Sequence, residues 1–114
     1  MADCIFCRMA RKEIKTNIVY EDDEILAFRD INPQAPTHIL IIPREHIPTV
    51  LDIKEKDVSL MGRLYMVAAE LARKENIDQP GFRLVVNCNR DAGQAVFHLH
   101  LHLLGGRRFN WPPG

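Results

Sequence analysis

The segment Phe97-His98-Leu99-His100-Leu101-His102-Leu103 sets three imidazoles at alternate positions, with an apolar residue on either side of each. In an extended strand alternate side chains share a face, so the three histidines project together while Phe97, Leu99, Leu101 and Leu103 enter a core. A helix would scatter them. At a rise of about 3.3 Å per residue, His98 and His102 stand roughly 13 Å apart along the backbone, too far for one ion with Zn–N bonds of about 2.1 Å. The spacing instead suits a division of labour, with one histidine as nucleophile and its neighbours given to metal, phosphate or proton work. A neutral imidazole nitrogen can attack phosphorus near neutral pH, provided an acceptor holds the proton of the other ring nitrogen.

Cys4 and Cys7 lie one helical turn apart, a spacing at which two thiolates can grip one tetrahedral ion. Two more ligands are then needed; two buried thiols without metal are the alternative. With Cys88 the chain has three cysteines, which cannot all pair internally, and Cys88 has no evident partner. In a reducing compartment a C-x-x-C spacing points to metal or redox chemistry rather than a structural bridge.

The elements that must position these groups follow from periodicity. Ile5, Phe6 and Met9 recur at near-helical spacing within Cys4 to Arg11, a short amphipathic helix able to lie over a sheet. Asn17 to Tyr20 and Ile25 to Arg29 read as a hairpin around the acidic turn Glu21-Asp22-Asp23-Glu24. Asn32-Pro33-Gln34-Ala35-Pro36 breaks the chain, because proline disfavours helix in the residue before it, and His38 to Ile42 is a buried strand closed by Pro43. Asp52 with Glu55 forms a capping box, with Asp52 in the cap position, for one long helix. Leu60, Leu64, Val67 and Leu71 carry its apolar stripe, which Met61 and Ala68 widen, and it ends near Asn76. Phe82 to Asn87 and Phe97 to Leu104 are the last strands, separated by a loop holding Asp91-Ala92-Gly93-Gln94. The order predicts an α+β fold over residues 1–114: a single domain with a mainly antiparallel sheet, one long helix and one short one.

With 114 residues and 46% hydrophobic content, one core is expected. A formal net charge of zero leaves no electrostatic footprint for nucleic acid or an anionic membrane, so phosphate recognition must be local. No run approaches the roughly 20 apolar residues of a membrane span, and Met1-Ala2-Asp3-Cys4 lacks a basic region followed by an apolar one. A cytoplasmic location is the expectation.

His98-Leu99-His100-Leu101-His102-Leu103-Leu104 resembles the H-φ-H-φ-H-φ-φ signature of the histidine triad family, where φ is apolar. The likeness continues through Asp30-Ile31-Asn32-Pro33-Gln34-Ala35-Pro36-Thr37-His38, Gly93-Gln94 and Gly105-Gly106-Arg107, and the ending Trp111-Pro112-Pro113-Gly114 looks like the Hint branch. The resemblance implies a HIT-like fold. It also implies a hydrolase that cleaves the P–N bond of purine nucleoside 5′-phosphoramidates through a nucleotidyl intermediate on His100. His102 would contact the phosphate oxygens, and His38 would support the site. Ile5, Phe6, Phe28 and Ile31 would line the base side; Leu40 serves either there or in ordinary core packing. Asp30 would meet the ribose hydroxyls, and Asn87, Gly93, Gln94 and Ala95 would lie near the phosphate.

The wider superfamily implies a structural zinc on Cys4, Cys7, His46 and His98, and no organic cofactor. Two positions depart from the family pattern. Ala95 stands where a serine often contacts the leaving group, and Lys15 replaces a common proline, a loop change without chemical consequence. A nucleotide-binding regulatory or scaffold protein with slow turnover is the alternative from another class. A dinucleoside polyphosphate hydrolase of the Fhit branch fits the triad but not the Trp-Pro-Pro-Gly ending. The broad stripe of the long helix and the apolar tail, Phe109 and Trp111 with Pro112 and Pro113, imply a homodimer. By resemblance, the tail would reach the neighbouring subunit's site.

Overall fold

The strand Thr37–Pro43 is buried along its whole length, and its neighbour Ile25–Arg29 is buried at all but its last residue. Such runs cannot present one face to water, so apolar layers must cover the sheet on both sides. In a computed structural model describing residues 4–114, that is the arrangement. The leader reading at Met1-Ala2-Asp3 and the start of the 1–114 domain lie outside the described residues.

The elements are α1 (Ile5–Ala10), β1 (Ile18–Glu21), β2 (Ile25–Arg29), β3 (Thr37–Pro43), α2 (Val58–Lys74), β4 (Phe82–Val85) and β5 (Leu101–Gly105), with short 3-10 turns before α2 and before β5. The sheet runs β1-β2-β3-β5-β4 with every neighbouring pair antiparallel. Ile25, Ala27, Ile39, Ile41, Leu101 and Leu103 point to one face and pack under Leu64, Val67, Ala68 and Leu71 of α2. Leu26, Phe28, Leu40 and Ile42 point to the other, where Phe6 of α1 covers them. The expected α+β architecture holds. No helix among the described residues is long and apolar enough to cross a membrane.

Three local readings change. The capping box is formed by Thr49 and Asp52, not by Asp52 and Glu55: the Thr49 hydroxyl accepts the Leu51 N–H at 3.1 Å and the Asp52 carboxylate accepts the Thr49 N–H at 3.1 Å. Asp57 caps the next turn through the Lys54 N–H at 3.0 Å, and only then does α2 begin. The last strand starts at Leu101 rather than Phe97, because the Leu99 N–H leaves the sheet ladder for the Ile47 carbonyl, 2.7 Å away. Phe97 is accordingly half exposed instead of entering the core. With no ladder partner beyond Leu101, β4 stops at Val85, two residues short of Asn87.

Two further contacts fix the frame. Arg29 at the end of β2 holds Glu75 after α2 with two parallel hydrogen bonds of 3.0 and 2.9 Å, a paired geometry stronger than a single contact. Asp22 turns the β1–β2 hairpin by accepting the Glu24 and Ile25 N–H groups, both at 2.8 Å.

Candidate active site and metal centre

The three triad histidines lie on the sheet face that α1 covers, and backbone groups of fixed character assign the imidazole protons, directly at His98 and His100 and by way of His38 at His102. A carbonyl can only accept, so His98 Nε2, 2.7 Å from the Pro43 oxygen, carries hydrogen and leaves its Nδ1 lone pair free. His100 works the other way round. Its Nδ1 donates to the His98 carbonyl at 2.7 Å, so Nε2 bears the lone pair. On β3, His38 Nδ1 accepts the Gln34 N–H at 3.0 Å, so its Nε2 proton faces His102 Nδ1 at 3.0 Å and an Asp30 oxygen at 3.5 Å. His102 therefore holds its own proton on Nε2, a buried donor with no partner among the described residues. His100 and His102 lie 5.0 Å apart between ring centres.

A cavity of about 270 Å³ opens beside these two rings. Ile5, Phe6, Phe28, Ile31, Leu40, Asp30 and Ala95 line it together with His100 and His102. Met9, Thr16, Arg29 and Val96 line it too and were not among the residues picked from sequence. Met9 follows Ile5 and Phe6 by one helical turn, which is the signal that would have placed it there. Leu40 both packs in the core and reaches the cavity, so its two readings are not exclusive. Asn87 lies on a second cavity that shares His102 and His38.

Gly93 and Gln94 line neither cavity. The Gly93 N–H is committed to the Arg90 carbonyl at 2.9 Å, and the Gln94 N–H to that of Asn89 at 3.1 Å. The Gln94 side-chain amide donates to Pro48 and Val96 carbonyls and accepts the Asn89 N–H. Their donors hold the loop shut and are not presented to a phosphate.

Cys4, Cys7, His46 and His98 converge, with one ligand atom from each within 4.8 Å of the others. Cys4 Sγ stands 3.3 Å and Cys7 Sγ 3.5 Å from His98 Nδ1, and Cys7 Sγ stands 3.2 Å from His46 Nδ1. A tetrahedral ion with bonds of about 2.0 to 2.3 Å sets its ligand atoms roughly 3.3 to 3.8 Å apart, so this donor set fits one. The His98 ring presents its unprotonated nitrogen to the cluster while its N–H is held by Pro43, as second-shell support requires. Cys88 is a free, partly exposed thiol away from this cluster.

A model of the HIT domain matches residues 11–109. The chain belongs to the HIT domain family. It is 53% identical to the purine nucleoside phosphoramidase of Escherichia coli (strain K12) over 105 residues, which covers 92% of this chain and 88% of that one. It is 46% identical to a 14 kDa zinc-binding protein of Brassica juncea, over 98% of this chain and all of the other. A HIT family hydrolase from Legionella pneumophila Philadelphia 1 superposes with a TM-score of 0.97 at 52% identity, covering 98% of this chain and 100% of its counterpart. This HIT domain thus carries both the triad and the four-residue cluster on a shared frame.

Burial pushes His98 and His102 down to about 4 from the ordinary 6.5; nearby histidines add to the effect, and the Pro43 carbonyl opposes it at His98. As pH falls through 6.5 an unfolded chain takes up protons on both, while the folded chain resists until about 4. The stability they supply is therefore complete above 6.5 and is lost as pH falls from there toward 4. Metal-free protein should unfold at steadily lower urea concentrations over that interval, and His102→Asn should flatten the dependence. An unmodified chain whose midpoint ignores pH in this window would contradict the burial argument.

Proposed function

We propose that this chain is a hydrolase of purine nucleoside 5′-phosphoramidates, with His100 as the nucleophile. The observation that carries this reading is the His100 ring, whose Nδ1 proton rests on the His98 carbonyl at 2.7 Å and whose free Nε2 adjoins a partly apolar cavity. The relative named purine nucleoside phosphoramidase supports the choice of substrate class. Ile5, Phe6, Phe28, Ile31 and Leu40 take the base, and Asp30 takes the ribose. His102, with its unsatisfied Nε2–H, takes a phosphate oxygen, where a preorganised donor is worth most. His38 holds His102 in the donating tautomer.

His100 Nε2 forms a bond to the α-phosphorus as the phosphorus–nitrogen bond to the amine breaks. Ala95 offers no hydroxyl, so the departing amine takes its proton from solvent. The His98 carbonyl stabilises the positive charge that His100 acquires. Water then adds to phosphorus, breaks the bond to His100 and releases a proton, leaving a nucleoside monophosphate and a neutral imidazole. Quenching turnover of a substrate labelled in its α-phosphate should leave acid-labile label on the protein, and His100→Ala should reduce the rate on the order of 10³-fold or more. Direct attack by water would give no trapped label under any quench.

We further infer that Cys4, Cys7, His46 and His98 hold zinc, in keeping with the relative named for zinc binding. A four-ligand ion is structural: it would tie α1 to the His98 segment and leave no position open to substrate. Phe6, between the two cysteines, packs edge-on to His100 at 5.2 Å, so this tie also holds one wall of the base site. Protein purified without added zinc should contain about one ion per chain, and Cys4→Ser with Cys7→Ser should abolish it and weaken AMP binding. Zinc retained in the double variant would remove the assignment.

A homodimer is the remaining proposal. Tyr65 and Met66 stand exposed on α2, and Trp111 is 82% exposed on a tail whose Phe109 and Pro113 line its own chain's second cavity. A second copy would cover these groups and edge the cavity mouth with Trp111. Light scattering at micromolar concentration should give twice the chain mass; the mass of one chain would refute it.

A further inference from the structure

The described residues leave two buried side-chain polar atoms without a hydrogen-bond partner, His102 Nε2 and Thr16 Oγ1. Both belong to residues lining the same cavity, the one of about 270 Å³ beside His100. Native interiors pair nearly all such atoms, so each exception asks for a cause. For His102 the phosphate supplies one. Thr16 stands among apolar side chains, where an unpaired hydroxyl lowers stability instead of adding to it.

The way α1 ends brings Thr16 to this wall. The Glu13 N–H returns to the Arg8 carbonyl at 2.9 Å and the Lys12 N–H to that of Met9 at 3.0 Å, the paired bonds of a Schellman stop, with Lys12 in the left-handed region at φ 63°. Arg11 then grips Glu13 at 2.7 Å, and Lys12 grips Glu21 at 2.8 Å. The chain turned back in this way places Thr16 on the cavity that Ile5, Phe6 and Met9 of α1 also line. The Thr16 carbonyl accepts the Ile18 N–H at 3.1 Å and the Asn17 carbonyl accepts the Arg29 N–H at 3.0 Å. These carbonyls are spent and the hydroxyl is left over. The other polar residues of the wall already have partners or a part in the chemistry. Arg29 holds Glu75 by two parallel bonds, Asp30 accepts the Asn32 N–H at 2.8 Å and faces His38, and the two histidines face the phosphorus.

We propose that Thr16 reads the edge of the purine, its hydroxyl donating a hydrogen bond to a ring nitrogen of the base. The proposal rests on the nucleotide reading of this cavity and adds the residue that tells one base edge from another. Ile5, Phe6, Met9, Phe28, Ile31 and Leu40 offer the base only apolar area, which cannot distinguish a ring nitrogen from a C–H of nearly equal size. A hydroxyl can, because it has a donor to place and a hydrogen that turns to suit its partner. Rotation about the Cα–Cβ bond also carries it between staggered positions, so a base in the cavity decides which one it takes. Each purine ring nitrogen outside the glycosidic bond presents a lone pair in the plane of the ring. A C–H at that place returns the hydroxyl to its unpaired state.

The test measures by calorimetry the affinity of the full chain for AMP and for its 1-deaza, 3-deaza and 7-deaza analogues, each with one ring nitrogen replaced by C–H. One analogue should bind about tenfold more weakly than AMP, the scale of one neutral hydrogen bond. Thr16→Val, which exchanges the hydroxyl for a methyl of similar size, should bind that analogue and AMP alike, and Thr16→Ser should keep the difference. Without nucleotide, Thr16→Val should unfold at the same urea concentration as the unmodified chain or a higher one, because an unpaired buried hydroxyl has been removed. Equal affinity of the unmodified chain for AMP and all three analogues would overturn the proposal, as would a deficit that Thr16→Val leaves in place. A deficit confined to 2′-deoxy or 3′-deoxy AMP and abolished by Thr16→Val would assign the hydroxyl to the sugar and overturn it as well. So would a lowered urea midpoint with every nucleotide weakened in equal proportion, since Thr16 would then only brace the turn after α1. Failure of the unmodified chain to bind AMP would instead overturn the nucleotide reading on which the proposal stands.

Discussion

The hydrogen bond from His100 Nδ1 to the carbonyl of His98 is the constraint on which the rest of the site depends. It sets the tautomer of the proposed nucleophile using the backbone of a residue only two positions earlier. A regular strand sends successive carbonyls sideways into the ladder, where neighbouring strands claim them. Here the chain between His98 and His100 lies outside the ladder, and the carbonyl turns to the imidazole instead. The late start of β5 is thus what lets a short sequence repeat place unlike nitrogens at successive histidines. His98 keeps its proton on Nε2, His100 on Nδ1 and His102 on Nε2, although all three stand on one face.

That irregular stretch is secured from several directions. The Leu99 N–H is held by the Ile47 carbonyl and the His98 ring by the Pro43 carbonyl, while Gln94 closes the preceding loop with three side-chain hydrogen bonds. Below it, β3 is buried on both faces and acts as the rigid member against which β2 and β5 register. Backbone polar groups removed from a ladder are tolerated only when satisfied elsewhere. Here they are, by groups that would otherwise be ordinary loop atoms.

Hydropathy alone carried the sheet and helices because burial imposes its periods directly on residue type. The alternation of Leu99, Leu101 and Leu103 against the histidines survives in the structure even where the ladder does not, since a side chain's face depends on local extension rather than on cross-strand bonding. Phe97 escaped that rule because the chain bends at the residues around it. The Thr49–Asp52 cap was hidden by the resemblance of Asp52 to a cap residue in its own right; only the two 3-10 turns before α2 assign it the opposite role. Gln94 and Gly93 looked like phosphate donors from their place in a motif, and their donors proved to be spent on the loop, a bookkeeping of hydrogen bonds that sequence does not contain. Arg83 and Arg107 lie 24 positions apart, so the Phe109 ring they share is visible only after β4 and β5 have paired.

His102 is a wall common to both cavities, with an apolar chamber on one side and a cationic one on the other. Because one ring serves both chambers, substituting His102 reshapes the two together, whereas a change confined to the Phe6 side or to the Phe109 side leaves the other chamber's lining as it was.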